Sequence, residues 1–238
     1  MQRIDDAQRT AARVAGLTYL VSFAIIVVGN FALRGRLLVA GDPAATMRNI
    51  AQAERLFRVS LAFDLSYCVG VVVVAAALYV VLKTVGPHLA LLAAVGRLVH
   101  GLSYFLTALA LFAVLHLSAN ADLGRWLGAE PAQALVRLLR TGTGDLYYAG
   151  LLFWSLAAAA CFRLWLASRF IPAVLARLGL IASLWCVLCT LWYIVDPAFA
   201  DAVNLWWFDS PMVLCEIAVS FWLLVRGLPA PAAGAAPE

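Results

Sequence analysis

The sequence has few charged residues. Of its 238 residues only 13% are Asp, Glu, Lys or Arg, while 65% are hydrophobic; a soluble domain carries about 25% charged residues. A soluble fold could not cover that much apolar surface with polar side chains. Apolar stretches long enough to cross a bilayer recur from Val14 to Val225, which excludes a protein with one single span. The composition therefore predicts a chain that has lipid as its main solvent.

Lysine and histidine are also scarce. Lys83 is the only lysine, and the net charge of +4 comes from dispersed arginines without a basic run, which argues against nucleic acid as a partner. His88, His100 and His116 all belong to one predicted helix or its start, whereas a bis-histidine haem needs ligands from different helices at similar depth. No pair of His, Asp or Glu has zinc-ligand spacing. We therefore predict no metal site and no cofactor.

The cysteines do not form a disulfide framework. All five fall inside apolar segments, where cysteine most often behaves as a small buried hydrophobe: Cys68, Cys161, Cys186, Cys189 and Cys215. No serine-centred nucleophile motif is present either. We therefore assign no catalytic residue.

Six apolar stretches predict an all-α, polytopic transmembrane bundle. They cover residues 14–33, 57–82, 89–117, 146–166, 171–195 and 208–226. The sixth is the weakest, because its apolar core is only 211–225 and needs Trp206, Trp207 and Phe208 to extend it into the interface. Residues 1–227 are predicted to form a single transmembrane domain, and 228–238, rich in Pro and Ala, a disordered tail.

Two longer connections predict two short amphipathic surface helices. In 41–55, Asp42 suits an N-cap and Pro43 the first helical position. In 130–140, leucines alternate with Arg137 and Arg140. We expect both helices to lie on the membrane surface with their apolar faces towards lipid.

The distribution of basic residues predicts that both termini lie in the cytoplasm. On this topology the cytoplasmic side holds Arg3, Arg9, Arg13, Lys83, Arg169 and Arg226, and the loop around Asp196 and Asp201 outside has no basic residue. The opposing observation is a set of arginines in the other two outer loops: Arg34, Arg36, Arg48, Arg55, Arg125, Arg137 and Arg140.

Several motifs are similar to those of a known family. The run Gly150-Leu-Leu-Phe-Trp154, the turn and helix start at 168–179 and the ending at 216–227 resemble the bacterial domain of unknown function 4386 family, as do Gly41-Asp42 and the pair Arg58 and Asp64. The resemblance covers nearly the whole chain. It implies a multi-pass membrane protein and no particular activity.

Four ionisable residues fall within the predicted spans: Asp64, Arg97, His100 and Glu216. Each costs roughly 2.5 to 3.5 kcal/mol at the centre of a spanning helix, so each requires a partner or a function. Helical periodicity places Arg97, His100 and Tyr104 on one face. We predict a buried polar network in which Arg97 pairs with Glu216 or Asp64.

Two interpretations of this network remain open. In the first it is a ligand-binding site in which His100 binds or relays a proton; in the second it is a structural ion pair that fixes helix register. The sequence accordingly favours a protein that binds a small molecule or lipid, or an accessory membrane protein, with the lipid bilayer as its partner. The alternatives are a small-molecule or proton-coupled transporter and an intramembrane enzyme, and the oligomeric state stays open.

Overall fold

The computed structural model describes residues 5–229, and within them the chain is helical, without a strand. The α-helices are α1 (Asp6–Val27), α2 (Pro43–Gln52), α3 (Glu54–Leu82), α4 (Pro87–Ala119), α5 (Ala121–Leu127), α6 (Ala129–Ser168), α7 (Ala173–Val195), α8 (Phe199–Ala202) and α9 (Trp206–Val225). A π-helix, Val28–Arg34, directly continues α1. Most of the predicted tail, residues 230–238, lies outside the described residues.

Six helices are long and apolar enough to cross a membrane, as predicted: α1 with the π-helix, α3, α4, α6, α7 and α9. The first begins at Asp6, eight residues before its predicted start. The Gln8 side chain explains this extension, because it is buried and donates hydrogen bonds to the Val81 carbonyl (3.3 Å) and the Thr84 hydroxyl (3.0 Å). These bonds hold the first turn of α1 against the α3–α4 turn.

The stretch 130–140 is helical but is not a separate surface helix. It forms the first part of α6, which runs for 40 residues. Gly142 and Gly144 do not end the helix, because each glycine costs only about 1 kcal/mol relative to alanine. Val136 is fully buried in a hydrophobic cluster of protein side chains and Leu139 packs against it, whereas Leu135 and Leu138 are exposed. Only part of the apolar side of this stretch therefore contacts protein.

The other predicted amphipathic helix, α2, forms as its sequence indicates. The Asp42 carboxylate accepts a hydrogen bond from the Ala45 amide (2.8 Å), and Pro43 occupies the first helical position. Ile50 is fully buried among Phe57, Leu61 and neighbouring side chains. The apolar face of α2 therefore packs on α3, and the prediction that it faces lipid is wrong.

The exposed surface of the spanning helices is apolar. On α7, Val174, Leu178, Ile181 and Leu188 are each more than half exposed, while Ser183 and Thr190 are completely buried. A protein in water would show the reverse arrangement. This distribution is the one expected of helices whose outer faces contact lipid tails.

The chain divides into two compact units, each built from several chain segments. Unit 1 comprises residues 1–20, 71–98 and 151–238, and unit 2 comprises 21–70 and 99–150. In unit 1, α1 and α9 approach closely at Gly16, where a Cβ atom would clash with the Ser220 carbonyl oxygen. Small residues at such crossings allow helix backbones to approach within a membrane.

Helix α9 contains a proline, and the structure compensates for it. Pro211 has no amide hydrogen, so the Trp207 carbonyl four residues earlier has no helical donor. The indole of Trp185 on α7 donates to that carbonyl at 2.8 Å. This bond joins α7 to α9 and explains how the sixth span starts at Trp206 despite the proline.

Candidate functional site

Unit 1 contains a buried ion pair between α4 and α9. The Arg97 guanidinium donates through Nη2 to Glu216 Oε1, and both side chains are more than nine-tenths buried. Arg97 lies ten residues from the start of α4 and Glu216 nine residues from the end of α9, so each is about 15 Å or less from its helix end. The two side chains therefore lie at similar distances from the ends of their helices.

A tryptophan completes the coordination of the carboxylate. The Trp154 indole on α6 donates to Glu216 Oε2 at 3.0 Å, so both carboxylate oxygens accept hydrogen bonds. Charged hydrogen bonds of this kind contribute about 1.5 to 3 kcal/mol each. The Glu216 carboxylate is therefore held in place by residues from two other helices.

Arg97 retains one unused donor. Its Nε is buried and has no hydrogen-bond partner among the described residues. Leaving a buried polar atom without a partner costs about 1 to 3 kcal/mol, and more on a charged group. The Arg97 side chain is therefore the one member of the pair that can still bind something.

A cavity lies beside this pair. It is small and partly open, and its lining residues come from five helices: Ala15, Tyr19, Val74, Leu78, Arg97, Cys161, Phe162, Trp165, Glu216, Val219, Ser220 and Leu223. Arg97, Glu216, Ser220 and Tyr19 supply its polar groups. Most of the remaining wall is aliphatic or aromatic.

The cavity runs along the helices. Its lining on α9 extends from Leu223, two residues before the helix end, to Glu216, nine residues before it. Its lining on α6 starts at Trp165, three residues before the end of that helix. At 1.5 Å per residue the apolar walls therefore begin a few ångströms below the helix ends, and the ion pair lies about 14 Å deep.

Unit 2 contains a second buried ion pair, between Arg34 and Asp64 of α3. Arg34 donates through Nη2 to Asp64 Oδ2 and to the Ser60 carbonyl (3.3 Å), and through Nη1 to the Asn30 side chain (2.9 Å). Asp64 is 1% exposed, and its Oδ1 has no partner among the described residues. In this pair one atom of each partner has no hydrogen bond among the described residues: Arg34 Nε and Asp64 Oδ1.

The π-helix brings Arg34 into this position. Its last hydrogen bond, from the Gly35 amide to the Asn30 carbonyl (2.8 Å), spans five residues. π-helical turns are rare and are often found at functional sites. The Arg34 side chain turns inwards at the end of the first span, where the sequence had indicated the start of an outer loop.

An aromatic cluster also lies in unit 2. The Tyr67 hydroxyl and His100 Nε2 are hydrogen-bonded at 2.9 Å. The Tyr104 ring packs against Tyr67 (4.6 Å between centroids) and His100 (5.2 Å), and Tyr147 packs edge-on to Tyr104 (6.5 Å). His100 and Tyr104 thus share one face of α4, as their spacing predicted.

The structure divides the five predicted network residues into separate groups. Arg97 pairs with Glu216, the first of its two predicted partners, while Asp64 pairs with Arg34. His100 and Tyr104 lie together in the cluster with Tyr67. Their assignment to one ligand site is a prediction that these contacts leave untested.

Sequence reasoning missed three contributors: Arg34, Tyr67 and Trp154. A signal for Arg34 was its spacing of four residues from Asn30, which places both on one helical face. Trp154 was visible within the Gly150–Trp154 run, but nothing in that run indicates which face of α6 the indole occupies. Among residues 5–229, no group of three His, Cys, Asp or Glu side chains could hold a metal ion.

Comparison with known proteins places the chain in a family. No curated protein and no solved structure shows significant similarity to it. The family described as "Domain of unknown function (DUF4386)" matches residues 14–227, which is most of the chain, and it agrees with the resemblance found in the sequence. The chain therefore belongs to the DUF4386 family and is a multi-pass membrane protein.

Proposed function

We propose that the protein binds a small, uncharged and largely apolar molecule in the Arg97–Glu216 cavity. The observation that carries this proposal is the Arg97 Nε donor, which is buried without a partner on a side chain that lines the cavity. A buried donor of this kind is best satisfied by an acceptor oxygen. The ligand is accordingly a molecule with a carbonyl, ether or hydroxyl oxygen.

The charge of the site favours a neutral ligand. Glu216 already neutralises Arg97 and has both oxygens engaged. A carboxylate ligand would add an uncompensated negative charge in a setting of low dielectric, and an ammonium ligand would add an uncompensated positive one, because Arg97 already neutralises Glu216. The aliphatic and aromatic wall, which includes Val219 and Leu223, suits the apolar body of the molecule.

A matched set of five-membered ring compounds tests this specificity. Purified protein in a neutral detergent would be unfolded thermally in the presence of cyclopentanone, cyclopentanecarboxylate, cyclopentylammonium or cyclopentane. Because a ligand of the folded state stabilises it in proportion to RT ln(1 + [L]/Kd), we expect cyclopentanone to raise the midpoint of unfolding more than the other three.

The control is a variant with a filled cavity. Ala15 lines the cavity and is not a member of the ion pair, so Ala15→Leu should occupy part of the space and abolish the cyclopentanone effect. An equal response of the parent and Ala15→Leu would assign the effect to the detergent micelle and contradict the proposal. Equal responses to all four compounds would contradict it as well.

The topology is a separate part of the proposal. We place both termini in the cytoplasm of a bacterium. Exposed basic residues lie at the end of unit 1 where α1 starts and α9 ends: Lys83, Arg169 and Arg226. A green fluorescent protein fused to the C-terminus should be fluorescent. Alkaline phosphatase inserted after Asn120 should be active, and the opposite pattern would reverse the topology.

A further inference from the structure

We propose that the α6–α7 turn forms a binding surface for the headgroup of an anionic phospholipid. The surface consists of three arginines, which we call the turn arginines: Arg163 on α6, Arg169 in the turn and Arg177 on α7. All three are exposed. Within residues 5–229 none of them forms an ion pair or a side-chain hydrogen bond.

The turn arginines lie at similar depth. Arg163 is five residues before the end of α6, and Arg177 is four residues after the start of α7. At 1.5 Å per residue these positions are about 8 Å and 6 Å from the helix ends, and Arg169 stands at the apex between them. Three cations at one interfacial level match the position of lipid phosphates at the edge of a bilayer.

Apolar side chains adjoin these cations. Helical periodicity places Val174, Arg177, Leu178 and Ile181 on one face of α7, and the three aliphatic members are 54–67% exposed. A guanidinium within a lipid-facing stripe meets both parts of a phospholipid, because the stripe contacts acyl chains while the cation contacts the phosphate. This juxtaposition favours a lipid over a free anion.

The distribution of charge along α7 also indicates an external anion. Cations flank the start of this helix, while Asp196 caps its end and Asp201 follows. Both placements oppose the helix dipole, which favours acidic groups at the start and basic groups at the end. Asp196 lies 19 residues after Arg177, which separates the two side chains by about 28 Å along the helix. No acidic side chain of this loop therefore compensates the cations.

Arg169 has an unusual backbone conformation as well. Its φ is +56°, and it is the one non-glycine residue with positive φ among the described residues. Glycine adopts this conformation without strain, so Arg169→Gly keeps the turn while it removes the cation. This gives a variant that must fold if the parent folds.

The test measures the apparent affinity for phosphatidylglycerol. Lipid is titrated into the purified protein in a neutral maltoside detergent, and thermal unfolding reports binding. We compare the parent with the turn variant, Arg163→Gln/Arg169→Gln/Arg177→Gln. The control variant, Arg36→Gln/Arg48→Gln/Arg137→Gln, removes three exposed, unpaired arginines of unit 2. Each cation near a surface contributes severalfold to anionic-lipid affinity.

We expect the turn variant to lose at least tenfold in affinity for phosphatidylglycerol and the control to change by about twofold or less. Arg169→Gly should unfold no more easily than the parent without lipid, and should lose about fivefold in affinity. Equal losses in both triple variants would show a net-charge effect and overturn the proposal. An unchanged affinity in Arg169→Gly and the turn variant would overturn it too, as would equal stabilisation by inorganic phosphate.

Discussion

The two buried ion pairs use the same residue types but differ in what surrounds them. In unit 1, Glu216 has both oxygens engaged, by Arg97 and by Trp154, and the arginine keeps a free Nε. In unit 2, Arg34 also binds Asn30 and a backbone carbonyl, but its Nε and one oxygen of Asp64 have no partner among the described residues. The first pair lines a cavity.

This difference shows why a buried ion pair is not by itself a sign of function. The cost of desolvating two charges can equal their mutual attraction, so such pairs are often neutral for stability. A ligand site is distinguished by a buried donor or acceptor that has no hydrogen-bond partner within the protein. Both arginines keep a buried Nε donor, and the donor of Arg97 belongs to a side chain that lines a cavity; the second pair also leaves an acceptor oxygen on Asp64.

The largest expected effect is the loss of a carboxylate. Glu216→Ala leaves Arg97 as an uncompensated buried charge, so we expect about 3 to 5 kcal/mol of destabilisation. Asp64→Ala should cost less, because Arg34 keeps its bonds to Asn30 and the Ser60 carbonyl. Unfolding by sodium dodecyl sulfate in mixed micelles measures both.

A double replacement separates charge from packing in this comparison. Arg97→Met combined with Glu216→Leu removes both charges and leaves apolar side chains of similar size, so most of the stability lost in Glu216→Ala should return. A double variant that is no more stable than Glu216→Ala would mean that the lost packing, and not the stranded charge, explains the effect.

The next effect concerns the tryptophan that holds Glu216. Trp154→Phe keeps an aromatic ring but removes the donor to Oε2, so we expect about 1.5 to 3 kcal/mol of destabilisation. The matched control is Trp165→Phe, which alters a buried tryptophan in the same cavity wall without breaking a bond to Glu216. Equal losses in the two variants would assign the cost to ring size.

A smaller effect is expected in unit 2. Asn30→Ala removes one of several acceptors around Arg34, and the loss of a hydrogen bond to a charged group that keeps its other partners should cost about 1 kcal/mol. The free energy of unfolding again reports the change. If Asn30→Ala lowered the free energy of unfolding as much as Glu216→Ala does, this ranking of the two pairs would be contradicted.

The sequence predicted the spanning helices and one of the two buried ion pairs. Six spans and the capped helix α2 follow from hydrophobic period, Asp42 and Pro43, because these signals are local. The Arg97–Glu216 contact was one of two alternatives, since helical spacing gives the face of a residue and not which helix it meets.

The remaining features depend on tertiary packing. Arg34 was assigned to a loop because a π-helix has no sequence signature as clear as a capping residue, so its inward turn was not predictable. The continuous α6 was missed because 130–140 and 146–166 were predicted as separate helices, whereas the burial of Val136 holds the first part of α6 in the hydrophobic cluster of unit 2.

The most direct test of the central claim replaces Arg97 by lysine. Lysine keeps the charge opposite Glu216 but has no group equivalent to Nε, so Arg97→Lys should retain the ion pair and lose the donor for the ligand. We predict that cyclopentanone stabilises the parent and Arg34→Lys alike, and that its apparent affinity for Arg97→Lys is at least tenfold lower. An unchanged affinity in a folded Arg97→Lys protein would contradict the account.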